Sequence, residues 1–191
     1  MESHHDRDLR EHKLLVRITG GLVVASGVTF GLVRFVSEEP AGQNLEAAVG
    51  AIAFGSVIAA PGILALLALH DRPALLLPAA LLLVPLSFLS FALVTLPLLI
   101  PAYLLFRTCA RATPEGSGWR VAATTSVVLV FLVAAVVALF AHEDPREFVT
   151  ETAFYATSDI VTYLETVLSL ALTVIGVGAG WLLAPPGTHN A

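Results

Sequence analysis

Long uncharged stretches alternate with short charged segments along the whole chain. A helix that crosses the hydrocarbon core of a bilayer needs about 20 mostly apolar residues, so each long stretch is a candidate span. Four of them reach this length once the arginines that flank the first are placed at the membrane surface. The predicted spanning helices are 14–36, 47–69, 119–141 and 160–184. The pattern therefore predicts an all-α, polytopic helical membrane protein.

The uncharged stretch from residue 74 to residue 106 is too long for one span and too short for two. Its 33 residues would measure about 50 Å as one straight helix. It contains four prolines, Pro78, Pro85, Pro97 and Pro101. Proline removes a backbone donor and kinks or breaks a helix, and Ser87 and Ser90 lie in the middle, where a turn and an N-cap are needed. We predict a Pro-broken helical hairpin, which gives five or six hydrophobic helices in total. The alternative is one long kinked span.

Composition excludes several classes of protein. The chain is 57% hydrophobic and 13% charged, whereas an average soluble domain has about 25% charged residues. A disordered chain, a nucleic-acid binder and an ordinary soluble enzyme are therefore not expected. We predict a charged tail at 1–13, one helical membrane domain at 14–184 and a short tail at 185–191. A signal peptide is an alternative for the first apolar run, but acidic residues in the leader favour a retained helix.

The distribution of Lys and Arg favours one orientation in the membrane. If residues 74–106 form a hairpin, eight cations lie on the side of the N-terminus and two lie on the other side. The eight are Arg7, Arg10, Lys13, Arg17, Arg72, Arg107, Arg111 and Arg120, and the two are Arg34 and Arg146. A single span would give six against four. The positive-inside rule favours the stronger bias, so we predict cytoplasmic N- and C-termini. The general pattern, which resembles that of small multi-pass proteins of bacterial plasma membranes, predicts that the membrane is of this type.

Small residues recur at helical spacing and predict close helix packing. The positions are Gly27 and Gly31 in the first helix, Gly55 in the second, and Gly176 and Gly180 in the last. Lipid tails are as apolar as leucine, so helices in a bilayer associate through close backbone approach and polar contacts. Packing within the chain is the favoured interpretation. The expected partners are membrane lipid and a second membrane subunit, and no nucleic acid.

Glu165 and Arg34 are ionisable residues near the ends of predicted spans, where a functional role is the first hypothesis. Thr162 and Glu165 also match a capping box, which predicts that the carboxylate helps to start the last helix. An ion pair with Arg34 and a proton or substrate role are the alternatives. The pair would share one membrane surface only if residues 74–106 form a hairpin.

His70, Asp71 and Arg72 precede Pro73 in a short polar segment between apolar stretches. Such a trio could perform acid–base chemistry at the membrane surface. The favoured interpretation is a turn before a helix that Pro73 begins, with Asp71 as its N-cap. Cys109, the single cysteine, is predicted to be a free thiol beside the membrane.

The motifs of common enzyme and channel families are missing from the sequence. It contains no P-loop, no H-E-x-x-H, no G-x-S-x-G and no paired-cysteine motif. We therefore expect neither a cofactor nor a metal. The first functional hypothesis is a non-catalytic accessory, assembly or regulatory subunit. The second is a small permeation or transport protein that uses the broken hairpin, and the third is a membrane-surface enzyme.

Overall fold

The structure is a computed structural model of the 191-residue chain. It describes residues 4–37, 45–89, 99–112, 118–140, 145–150, 153–158 and 163–186. Within these ranges the helices are α1 (His4–Ser37), α2 (Leu45–Ala68), α3 (Leu76–Leu89), α4 (Leu99–Ala112), α5 (Gly118–Phe140) and α6 (Tyr163–Leu183). The predicted helical fold is confirmed, and one short β-hairpin is present in addition.

Four helices are long and apolar enough to cross a membrane among the described residues. Their apolar spans are Glu11–Val36, Ala48–Ala68, Gly118–Leu139 and Leu164–Leu183. Each falls within a few residues of a predicted span. Leucine, valine and alanine fill these segments, so their side chains are compatible with lipid. The helical backbone pairs its own N–H and C=O groups, which lipid cannot do.

The first helix begins earlier than the apolar pattern indicates. It starts at His4, ten residues before the predicted start at Leu14, and continues to Ser37 over 34 residues. Residues 4–13 contain neither proline nor glycine, so nothing in the local sequence stops the helix from extending beyond its apolar part. The predicted tail at 1–13 is therefore mostly an extension of α1.

The stretch 74–106 is broken, as predicted. A 3₁₀ turn, Pro73–Leu75, leads into α3. Residues 90–98, which include Ser90 and Pro97, lie outside the described part of the chain, and α4 follows them. Helix α4 packs against α3 and also contacts the 3₁₀ turn. In a single straight span, α4 would begin about 36 Å beyond that turn. The long kinked span is therefore wrong for this protein.

Ser87 has a different place from the one predicted. It lies inside α3, where its Oγ donates a hydrogen bond to the carbonyl of Leu83 at 2.6 Å. A serine that bonds the carbonyl four residues earlier is a common feature of apolar helices. Ser87 is therefore not the N-cap of a second arm.

A short antiparallel β-hairpin occupies part of the segment between α5 and α6, and the sequence analysis did not predict it. Strand β1 (Pro145–Thr150) pairs with β2 (Ala153–Ser158), with Thr150 opposite Ala153. Both strands contain aromatic and threonine residues, which favour extended backbone.

The helices pack around one large core and one small one. The large core contains residues of α1 to α5, with Val177 and Trp181 of α6 packed against it. Leu64, Leu75, Leu83 and Leu105 are fully buried in this core. The small core joins α2 to α5 and α6. Helix α1 packs mainly on α2 and also contacts α4, so it lies at the edge of the bundle.

The two ends of the bundle carry different charged residues. We call the end at which α2 and α6 finish the Arg72 end, since Arg72 bonds to the carboxyl end of α6 there. Arg17 on α1 and Arg120 on α5 belong to this end. Arg34 and Glu165 belong to the opposite end, near the last turn of α1 and in the first turn of α6.

Candidate functional site

Helices α1 and α2 run antiparallel, and their backbones come into direct contact. A Cβ atom added to Gly27 would lie 2.6 Å from the carbonyl oxygen of Gly55 and 2.7 Å from the amide nitrogen of Ala59. One added to Gly31 would lie 2.9 Å from the carbonyl oxygen of Ala51. These distances are below those of real Cβ contacts, so only glycine allows the two backbones to approach this closely.

The glycines of α6 meet side chains of α5. A Cβ atom at Gly176 would lie 2.8 Å from the Cβ of Phe131, and one at Gly180 would lie 2.5 Å from the Cγ2 of Val128. The structure thus places all five glycines of the sequence prediction at helix contacts within the chain.

Arg72 fastens the α2–α3 turn to the end of α6. Its Nη1 donates hydrogen bonds to the carbonyl oxygens of Trp181 at 2.7 Å and of Ala184 at 2.5 Å. Its guanidinium carbon also lies 4.7 Å from the centre of a Trp181 ring. The last carbonyls of a helix have no partner in their own helix and carry partial negative charge. A cation there donates hydrogen bonds to these carbonyls and offsets their negative charge, so it stabilises the end of the helix.

The other two residues of the polar trio shape and cover this contact. The ring of His70 lies edge-on to Trp181, with 6.0 Å between ring centres. Asp71 has a φ of 61°, a left-handed conformation that Asp tolerates better than most residues. This turn brings the amide of Arg72 to 3.2 Å from the carbonyl of Ala68.

The predicted N-cap at Asp71 is wrong, because Arg72 is the N-cap residue of the 3₁₀ turn and makes no side-chain cap hydrogen bond. Pro73 does stand at the start of that turn, as predicted. His70 and Arg72 therefore form a structural clamp around Trp181, and Asp71 provides the left-handed residue of the turn between them.

Arg34 turns towards α2. Its guanidinium carbon lies 4.4 Å from the ring centre of Phe54, and Phe54 packs with Leu170 of α6 in the small core. Glu165 lies in the first turn of α6 and is half-buried. Thr162, its predicted capping partner, lies outside the described residues. The capping box and the ion pair with Arg34 both stay predictions.

An open apolar groove runs between α1 and α2. Its volume is about 490 Å³. Residues of both helices line it: Val24, Gly27, Val28, Gly31, Leu32 and Phe35 from α1, and Ala48, Ala51, Ile52, Gly55, Ser56, Ala59 and Ile63 from α2. The lining is almost wholly apolar, since Ser56 donates its hydroxyl to the carbonyl of Ile52 at 2.7 Å. The groove can hold an apolar ligand but offers few groups for a polar one.

Cys109 is buried, with 4% of its surface exposed. The prediction of a thiol outside any disulfide is confirmed, but it did not include the burial, which arises because α4 turns this face into the core. Two buried hydroxyls, Thr125 Oγ1 and Ser169 Oγ, have no hydrogen-bond partner among the described residues. No group of three metal-ligating side chains occurs in the described ranges.

Sequence reasoning missed the groove and the role of Trp181. The groove depends on the crossing of two helices, which periodicity alone does not give. Nothing near Trp181 in the sequence indicates that it contacts a cation 109 residues away. No protein-family model, no curated protein and no solved structure matches the chain.

Proposed function

We propose that this chain is a non-catalytic accessory, assembly or regulatory subunit of a membrane complex. The observation that supports this most directly is the use of Arg72. A cation that sequence analysis offered for acid–base chemistry donates instead to two carbonyls of α6. Arg34, the other candidate cation, lies over a phenylalanine ring. Polar side chains that hold helices together are typical of a scaffold and favour an enzyme less.

The proposal includes an orientation, with the Arg72 end in the cytoplasm. Arg17, Arg72 and Arg120 belong to this end, whereas Arg34 belongs to the other, where Arg146 lies in the segment that joins α5 to α6. The positive-inside rule favours this arrangement. Both termini then face the cytoplasm, and the membrane is a bacterial plasma membrane.

The orientation can be tested with one introduced thiol. Gly118 is exposed at the start of α5, and a Cβ atom there meets nothing within 4 Å. In a Cys109→Ala background, we expect Gly118→Cys to resist a membrane-impermeant maleimide on intact cells and to react after permeabilisation. The matched control is Val36→Cys at the other end, which is 71% exposed and should react without permeabilisation. The reverse pattern would overturn the orientation.

A permeation protein is the second candidate. Helices α3 and α4 have 14 residues each, about 21 Å, which is less than the roughly 30 Å of a bilayer core. The unpartnered hydroxyls of Thr125 and Ser169 also favour a polar route between α5 and α6. However, Gly176 and Gly180 are in tight contact with α5 between these two levels, which closes that route in this conformation.

Purification and flux separate the two proposals. We expect tagged chain, extracted in mild detergent, to retain one partner at fixed stoichiometry and to give no solute flux in liposomes. Gly27→Val should lose the partner, because it forces α1 away from α2, whereas Gly21→Val should keep it, because a Cβ atom there meets nothing within 4 Å. Flux by the chain alone, without a retained partner, would favour permeation.

A further inference from the structure

One stripe of α1 joins the groove to two exposed cations. Its members recur every three or four residues and therefore lie on one helix face. They are Lys13, Arg17, Gly21, Val24, Val28, Gly31 and Phe35. The last four line the groove, and Lys13 and Arg17 are both exposed. Glu11 is offset from this stripe around the helix.

The groove is long and apolar enough to hold a linear apolar ligand. Its lining on α2 extends from Ala48 to Ile63, which is about 22 Å along the helix axis. This length lies within the hydrocarbon core of a bilayer, about 30 Å thick. Since Ser56 is bonded to its own helix, the walls present almost no free hydrogen-bonding group. A linear hydrocarbon chain suits such walls better than a polar molecule does.

The cations lie where the charged part of such a ligand would be. Gly20 packs against Gly62 near the end of α2, so Arg17, less than one turn earlier, lies close to the Arg72 end. Arg17 precedes Val24 by seven residues, about 10 Å. Gly21 lies between them, and the space above it is open. The face of α1 between Arg17 and Val24 is therefore open at Gly21.

We propose that the groove between α1 and α2 binds an anionic phospholipid. One acyl chain lies in the groove, and the phosphate lies beside Arg17 and Lys13. Opposite charge at the surface and apolar contact at depth together identify this class of ligand. The inference goes beyond the proposed function, which does not depend on a bound lipid.

Native mass spectrometry of the full chain provides the test, with phosphatidylglycerol and phosphatidylcholine added at equal concentration. We expect preferential retention of phosphatidylglycerol. Arg17→Gln and Lys13→Gln should each weaken it about fivefold, and Arg17→Lys should preserve it. The matched control is Arg107→Gln, an exposed arginine on α4, which should have no effect.

A second variant tests the acyl chain itself. Ser56→Leu places a larger side chain in the groove and should reduce retention of both lipids. The proposal is wrong if the Arg17→Gln, Lys13→Gln double variant keeps the preference for phosphatidylglycerol, and this outcome does not depend on whether Ser56→Leu folds. It is also wrong if the wild-type chain forms a dimer that Ser56→Leu abolishes, because the groove then binds a second copy.

Discussion

Replacing Gly27 by valine is expected to lower the free energy of unfolding by about 3 kcal/mol, the upper end of the range for overpacked sites. Even a Cβ atom at this position lies 2.6 Å from a carbonyl oxygen of α2 and 2.7 Å from an amide nitrogen. Backbone atoms cannot move aside as a side chain can, so the two helices must separate. Unfolding of the purified protein in a denaturing detergent titration measures the change.

Gly21→Val is the matched control for this prediction. It makes the same chemical change on the same helix, but a Cβ atom there meets nothing within 4 Å. We expect its midpoint to stay close to that of the wild-type protein. Equal destabilisation by the two variants would mean that valine weakens α1 itself and that the α1–α2 contact is not the cause.

Replacing Arg72 by alanine is the second large effect. The variant loses two hydrogen bonds from a charged donor to the carbonyls of Trp181 and Ala184 and its contact with the Trp181 ring. Hydrogen bonds to charged groups contribute about 1.5–3 kcal/mol, and a surface cation–π contact adds about 0.5–1 kcal/mol. Because Arg72 is only half-buried, we expect the lower end of the sum of these three contacts, a loss of about 3–4 kcal/mol, with the end of α6 the first part to open. Hydrogen exchange at 180–184 detects that opening.

Two further variants identify the cause. Arg72→Lys keeps the charge but replaces the planar guanidinium, so we expect it to recover only part of the stability. Arg107→Ala removes an exposed arginine of α4 and should leave the exchange of α6 unchanged. If Arg72→Ala also leaves it unchanged, the clamp does not stabilise the helix end.

The helices and their contact faces could be predicted because both follow from local spacing. Apolar runs of suitable length located the four spans, and glycines four residues apart marked the face of α1 that packs on α2. The four prolines likewise indicated that residues 74–106 could not form one straight helix. Each of these inferences needs only neighbours in the sequence.

The clamp and the groove could not be predicted because they depend on which helices lie beside one another in the fold. Arg72 and Trp181 lie 109 positions apart, and their meeting requires α6 to finish beside the end of α2. The sequence pattern predicts Asp71 as an N-cap because it lies just before Pro73. In the structure the N-cap position belongs to Arg72, and Asp71 adopts a left-handed backbone conformation in the turn. Burial of Cys109 likewise follows from the way α4 folds back.

The length of α1 has a mechanical consequence. Its 34 residues measure about 51 Å, whereas the bilayer core is about 30 Å thick. In the proposed orientation, the surplus extends into the cytoplasm as a charged, continuous rod. Because the rod and the membrane part are one helix, tilting α1 within the bilayer moves its amino end sideways through a larger arc. Any change in the tilt of α1 would therefore displace charge outside the membrane farther than it displaces the helix inside.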